Sequence, residues 1–186
     1  MRPMCILGIA GSLRRGSYNG LLLRAAAERA PKGMTIDVYS DLASVPLFNE
    51  ELEGENGPQA VVRLRQRVHD ADGVLIATPE YNQSIPGVLK NAIDWLSRPP
   101  EEVLAGKAVA IFGASTGRWG TRLAQAAVRQ TLNAAEAVVL PSPAVFIGDA
   151  SSVFDSAGHL SDPPICAALD AFLIAFQRWI DMVARK

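Results

Sequence analysis

Five times along this 186-residue chain a short apolar run breaks off at a polar turn and gives way to a stretch with helical periodicity. Such alternation leaves few folds open. Runs that are apolar on both sides need cover on both faces, and a strand–helix–strand crossover joins parallel strands. The pattern predicts strands over 4–10, 34–40, 73–78, 107–113 and 137–140, with 144–146 as a candidate continuation of the last. It predicts helices over 18–30, 58–70, 86–97, 119–134 and 163–184. Residues 41–57 read as a long loop and 149–162 as an irregular polar segment. No repeat or linker interrupts the series. The expected architecture is α/β, a three-layer sandwich with a five-stranded parallel sheet and helices on both faces, in one domain over residues 1–186. Strand order 2-1-3-4-5 suits five such units and brings the loops after strands one, three and four to one crevice.

Composition narrows the partners. A net charge of −1 with 20% charged residues points to no nucleic acid. No apolar run approaches a membrane span, and the short run before Gly11 does not read as a signal peptide. Cys5 and Cys166 form no disulfide framework or metal cluster and read as buried thiols in a reducing cytoplasm. His69 and His159 read as surface residues, and Arg63, Arg65 and Arg67 as a solvated helix face. No metal site is expected.

The chemistry sits in the three convergent loops. The first, Gly11-Ser12-Leu13-Arg14-Arg15-Gly16-Ser17-Tyr18-Asn19, leads from a buried strand into a helix. Helix N-termini carry unpaired N–H groups and favour anions. Ser12, Ser17 and Asn19 add hydrogen-bonding side chains, and Arg14 adds a charge-assisted contact. Neither a dinucleotide fingerprint nor a G-K-[ST] P-loop is present. A loop with this side-chain content suits a terminal monophosphate, the form that FMN carries. An ordinary helix cap by Ser17 or Asn19 is the competing reading. The second loop, 78–87, is bounded by Pro79 and Pro86 and has Tyr81 at its tip, able to cover a flat heterocycle. A proline-bounded turn with a solvated Tyr is its plainer reading. The third loop, 113–120, offers small residues, N–H groups, Arg118 and Trp119, or simply a Ser/Thr-capped turn.

Together, G-S-L-R-x-G-S-Y-N after strand one, P-E-Y-N-x-S-x-P-G-x-L-K-N-A-I-D-W after strand three and the Ser/Thr-Gly loop after strand four resemble the NADPH-dependent FMN reductase family. That family includes bacterial quinone and chromate reductases and azobenzene reductases. The likeness covers nearly the whole chain. It implies a flavodoxin-like fold, bound FMN, NADPH or NADH as hydride donor, and a small-molecule electron acceptor. Carried onto this chain, it implies that Ser12, Arg14, Ser17, Tyr18 and Asn19 hold the phosphate. Pro79, Glu80, Tyr81 and Asn82 would line the isoalloxazine with Ser84 nearby, and Ser115 and Gly117 would complete the site. The family often has a second glycine pair after strand four, where this chain has Arg118-Trp119-Gly120.

The resemblance implies two-electron, ping-pong hydride transfer through the flavin N5, with no catalytic side chain. It also implies a cytoplasmic homodimer or homotetramer. Arg118, Arg122, Gln125 and Arg129 recur near helical spacing and read as a subunit contact, with Glu80 as a candidate partner, or as a solvated stripe. Trp95, off the main apolar side of its helix pattern, reads as part of such a contact. Two other classes stand beside this reading. A flavodoxin-type one-electron carrier would have a strongly acidic surface and no arginine in its phosphate loop, unlike Arg14 and the near-zero charge here. A non-flavin binding module on the same fold would show no visible absorption.

Overall fold

Periodicity of two in the apolar runs decides the layering. The computed structural model describes residues 3–54, 57–99 and 102–185. Its strands are β1 (Met4–Ala10), β2 (Met34–Tyr39), β3 (Gly73–Ala77), β4 (Ala108–Ala114), β5 (Val138–Val139) and β6 (Val145–Ile147). Its helices are α1 (Tyr18–Glu28), α2 (Gln59–Asp70), α3 (Gly87–Leu96), α4 (Arg122–Ala134) and α5 (Pro163–Val183). All strand pairings are parallel, in the order β2-β1-β3-β4-β5, with β6 also on β4. This is the flavodoxin-like order. Leu7, Ile9, Val74, Ile76, Val109 and Ile111 face a core under α2, α3 and α4. Their neighbours Ile6, Leu75, Ala77, Ala110 and Phe112 face a second core under α1 and α5. Successive side chains point to opposite faces of a strand, so each short run feeds both cores.

Several expectations need correction. The fifth strand is two pieces: β5 pairs with Ala108 and Val109 at one end of β4, and β6 pairs with Phe112–Ala114 at the other. The segment expected to be a plain loop over 41–57 contains short 3-10 turns at Leu42–Ser44 and Glu50–Leu52. Helix α4 starts at Arg122 rather than Trp119, because Gly120 adopts φ 68° and its N–H closes a turn on Gly117. Cys5 is exposed rather than buried, and Cys166 is half-buried; both are free thiols. Trp95 is fully buried. Its Nε1 donates to the Pro46 carbonyl at 2.8 Å, and its ring meets Phe48 edge-on at 4.9 Å. One turn earlier, Asn91 donates to the same carbonyl and accepts from the Phe48 N–H. The N-A-I-D-W end of the second motif therefore clamps the loop after β2 through Asn91 and Trp95.

The arginines of α2 are similarly engaged. Arg63 pairs with Asp41, Arg67 with Asp37, and Arg65 donates to the Arg98 carbonyl. His69 and His159 are exposed, as expected, and each has an aspartate beside it, Asp70 and Asp155. No helix among the described residues is long and apolar enough to cross a membrane, and no metal-ligand cluster occurs among them.

Candidate active site

Three strand ends determine where the polar loops meet. The Gly11 N–H donates to the Ala77 carbonyl, the Thr78 N–H to Phe112, and the Ser115 N–H to Ile147. These bonds bring the loops after β1, β3 and β4 to one level. A crevice of about 310 Å³ opens between them. Ser12, Arg14, Ser17, Tyr18 and Asn19 line it from the first loop, Pro79, Glu80 and Tyr81 from the second, and Ala114, Ser115 and Thr116 from the third. A separate groove of about 320 Å³ lies beside α2, with Leu52, Val61, Val62, Pro99 and Trp95 in its lining, and shares no lining residue with the crevice.

The first loop holds the cationic end. Ser17 is the N-cap of α1; its Oγ accepts from the Asn19 N–H at 3.2 Å. Its hydroxyl proton remains available to an anion. Arg14 is exposed, with its guanidinium 5.6 Å from the Tyr18 ring centroid. Tyr18 in turn stacks on Phe154 at 5.7 Å. The Arg14 N–H reaches Ser12 Oγ, and that oxygen lies 3.3 Å from the Tyr81 hydroxyl. Ser12 thus links the first loop to the second.

Asn19 departs from its expected role. Its side chain is buried, with Nδ2 donating to the Ala114 carbonyl and Oδ1 accepting from the Ala114 N–H, both at 2.9 Å. The Ala114 backbone takes Oδ1 and one of the two Nδ2 hydrogens, so Asn19 ties α1 to the end of β4 and has one Nδ2 hydrogen left toward the crevice it lines.

The second loop ends in a tight reversal. The Tyr81 N–H and the Ser84 carbonyl pair, as do the Ser84 N–H and the Tyr81 carbonyl. Asn82 and Gln83 between them have φ of 50° and 61°. Two consecutive positive φ values make a type I′ turn, which glycine would enter more easily. Tyr81 is thereby held half exposed at the crevice mouth. Asn82 and Ser84 build this turn and do not line the crevice. Glu80 lines the crevice and has a second contact as well. Its Oε2 accepts from the N–H groups of Leu123 and Ala124, each at 2.9 Å, so the carboxylate is engaged with α4.

The third loop is shaped by close approach. A Cβ on Gly113 would collide with the Thr78 carbonyl oxygen and stand 2.5 Å from Thr121 Oγ1. A Cβ on Gly148 would collide with the Arg118 carbonyl. Ser115 Oγ accepts from the Gly117 N–H at 3.0 Å. Gly117 sits behind that bond and is not among the lining residues. Arg118 and Trp119 are exposed, and neither lines the crevice. The expected stripe on α4 is used within the chain. Arg122 lies 4.4 Å over the Phe146 ring, Gln125 is buried against Thr121 and the Val145 carbonyl, and Arg129 donates to the Leu140 carbonyl. Sequence reasoning passed over Ala114 and Thr116, which carry no distinctive chemistry and enter the site through position alone.

Comparison with known proteins follows this geometry. The model of the NADPH-dependent FMN reductase family matches residues 4–152, which contain all three loops. The chain belongs to this family. As a member of it, the chain is 47% identical over 175 residues to an NAD(P)H-dependent FMN reductase of Pseudomonas aeruginosa, covering 94% of each. It is 39% identical over 180 residues to a quinone reductase of Escherichia coli K12, covering 96% of each. Among solved structures, a flavoenzyme NAD(P)H:(acceptor) oxidoreductase from Paracoccus denitrificans superposes with a TM-score of 0.88 at 32% identity, covering 96% of this chain and 98% of that one.

Proposed function

We propose that this FMN reductase family member binds FMN in the crevice and uses NADPH or NADH to reduce quinones, with azo compounds and chromate as further candidate acceptors. The observation that carries the reading is the convergence of three chemically different loops. Arg14, Ser12 and Ser17 gather at the N-terminus of α1, a donor set that fits a dianionic phosphate. Buried Pro79 and the small residues Ala114 and Ser115 leave a narrow gap that fits a flat ring system, and Tyr81 stands at its mouth. FMN, when bound, supplies the hydride-accepting chemistry that none of these side chains can perform.

The chain's own contribution is positional. Arg14 and the first turn of α1 anchor a phosphate. The N–H groups of the second and third loops are fixed dipoles that favour negative charge on a ring beside them. Tyr81 leaves room for one planar partner at a time, so donor and acceptor take turns in the same place. No His, Cys or Lys lines the crevice, and the only carboxylate there, Glu80, is engaged with α4. Protons for a reduced quinone then come from water at the open mouth.

The exposed Trp119 and Leu123, 76% and 51% accessible at the start of α4, support a homodimer or homotetramer formed through that end of the molecule. Free Cys5 and Cys166 support a reducing cytoplasm. The decisive experiment is an absorption spectrum of the purified protein followed by titration of stripped protein with FMN. Flavin bands and saturation at one FMN per chain are expected. A colourless protein that leaves added FMN free would overturn the reading.

A further inference from the structure

The N-terminus of α4 lacks the cap its own sequence would supply. Thr121 occupies the capping position but makes no side-chain cap, and its Oγ1 instead accepts from Gln125 Nε2 at 2.9 Å. The first-turn amides of Leu123 and Ala124 would otherwise have no internal partner. Their partner comes from 43 and 44 residues earlier in the chain, as the Glu80 carboxylate in the second crevice loop.

Glu80 stands between Pro79, which lines the crevice, and Tyr81, which begins the tight turn. Helix α4 directly follows the third loop, whose Ser115 and Thr116 line the same crevice. One oxygen atom therefore ties the second crevice loop to the helix that continues the third. We propose that Glu80 is a positioning residue that sets the width of the ring-binding gap, acting through the reach of its oxygen to Leu123 and Ala124 and not through its charge. This rests on the reading that the gap holds FMN.

The two ideas make different demands on the side chain. Glutamine keeps the reach and an accepting oxygen but loses the charge. Aspartate keeps the charge and is one methylene short, which removes at least one of the two bonds. Stripped wild-type protein and Glu80→Gln, Glu80→Asp and Glu80→Ala variants would be titrated with FMN by fluorescence quenching. Amide exchange at Leu123 and Ala124 would be measured without flavin, and the visible circular dichroism of the bound flavin with it. Glu80→Gln should bind FMN within about threefold of wild type, while Glu80→Asp and Glu80→Ala weaken by about tenfold or more, the size of one or two lost hydrogen bonds. The same two variants should change the flavin dichroism and speed exchange at both amides. Glu80→Asp alone carries the comparison if Glu80→Ala does not fold. Equal FMN affinity in all variants, or an aspartate variant that matches wild type while the glutamine variant fails, would overturn the proposal. If the wild type itself takes up no FMN, the cofactor reading falls. The amide exchange then decides the tie alone: protection kept in Glu80→Gln and lost in Glu80→Asp upholds it, and any other ranking rejects it.

Discussion

Arg14 and Asn19 sit five residues apart in one loop and illustrate how far residue type predicts role. Arg14 is exposed at the crevice with no carboxylate partner among the described residues, as a phosphate ligand should be. Arg14→Ala should weaken FMN binding by about 1.5–3 kcal/mol, the worth of a hydrogen bond to a charged group. Isothermal titration of the stripped protein measures it, and an unchanged affinity would remove Arg14 from the phosphate site. Asn19 also carries donors suited to a phosphate, but its amide serves the Ala114 backbone. Asn19→Ala should therefore act on stability, leaving two buried backbone groups unpaired at a cost of about 1–3 kcal/mol each. The sequence shows that an asparagine stands beside the loop. It does not show that β4 ends within reach of it, because that depends on the sheet order. The histidines are simpler: both are exposed and away from the crevice, so His69→Ala and His159→Ala should keep kcat within a few-fold. A hundredfold loss in either, with FMN bound, would be of general acid–base size and would contradict the positional mechanism.

Elements meet in the third loop, where backbone crowds backbone. Gly113→Ala should destabilise the fold by about 1–3 kcal/mol through overpacking against Thr78 and Thr121, read as a lower urea midpoint with an unchanged slope. The segment between β6 and α5 carries a pH-dependent hairpin. The Asp155 carboxyl is held below its ordinary range chiefly by the His159 N–H, with help from the His159 ring and the Ala157 N–H. A depressed carboxyl contributes stability above its unfolded pKa of about 4 and loses it as the pH falls through the folded value. Wild type should thus melt above Asp155→Asn at neutral pH, and the two should converge below about pH 4. Calorimetry across that range is the check. The strands and helices were legible because their apolar positions repeat at two and at 3.6 residues. The start of α4 and the division of strand five were not. Gly120 and the break in strand five are set by contacts with Gly117 and β4, and these lie outside any local window.

At the scale of the molecule, the proposed function has donor and acceptor share the crevice between the three loops. Initial rates with NADPH and a benzoquinone should give parallel double-reciprocal lines, and intersecting lines would require a second pocket. Sedimentation at micromolar concentration should find a dimer or tetramer, with Trp119→Ala shifting it toward monomer; a monomeric wild type would remove α4 from any interface. The crevice itself was legible in outline, since the loops at the carboxyl ends of the neighbouring strands β1, β3 and β4 converge by topology. What else its lining residues hold was not, because Glu80 and Asn19 also bond to groups 43 and 95 residues away. The crowding at Gly113 has one further consequence. Between Thr78 and Thr121 no side chain fits, so the floor beneath the third loop is peptide backbone whatever the neighbouring sequence becomes. Drift and selection then have most freedom at the mouth, at positions such as Tyr81 and Thr116 that line the crevice and that solvent already reaches. A library built to change which acceptors this chain reduces should vary those positions and leave the floor untouched.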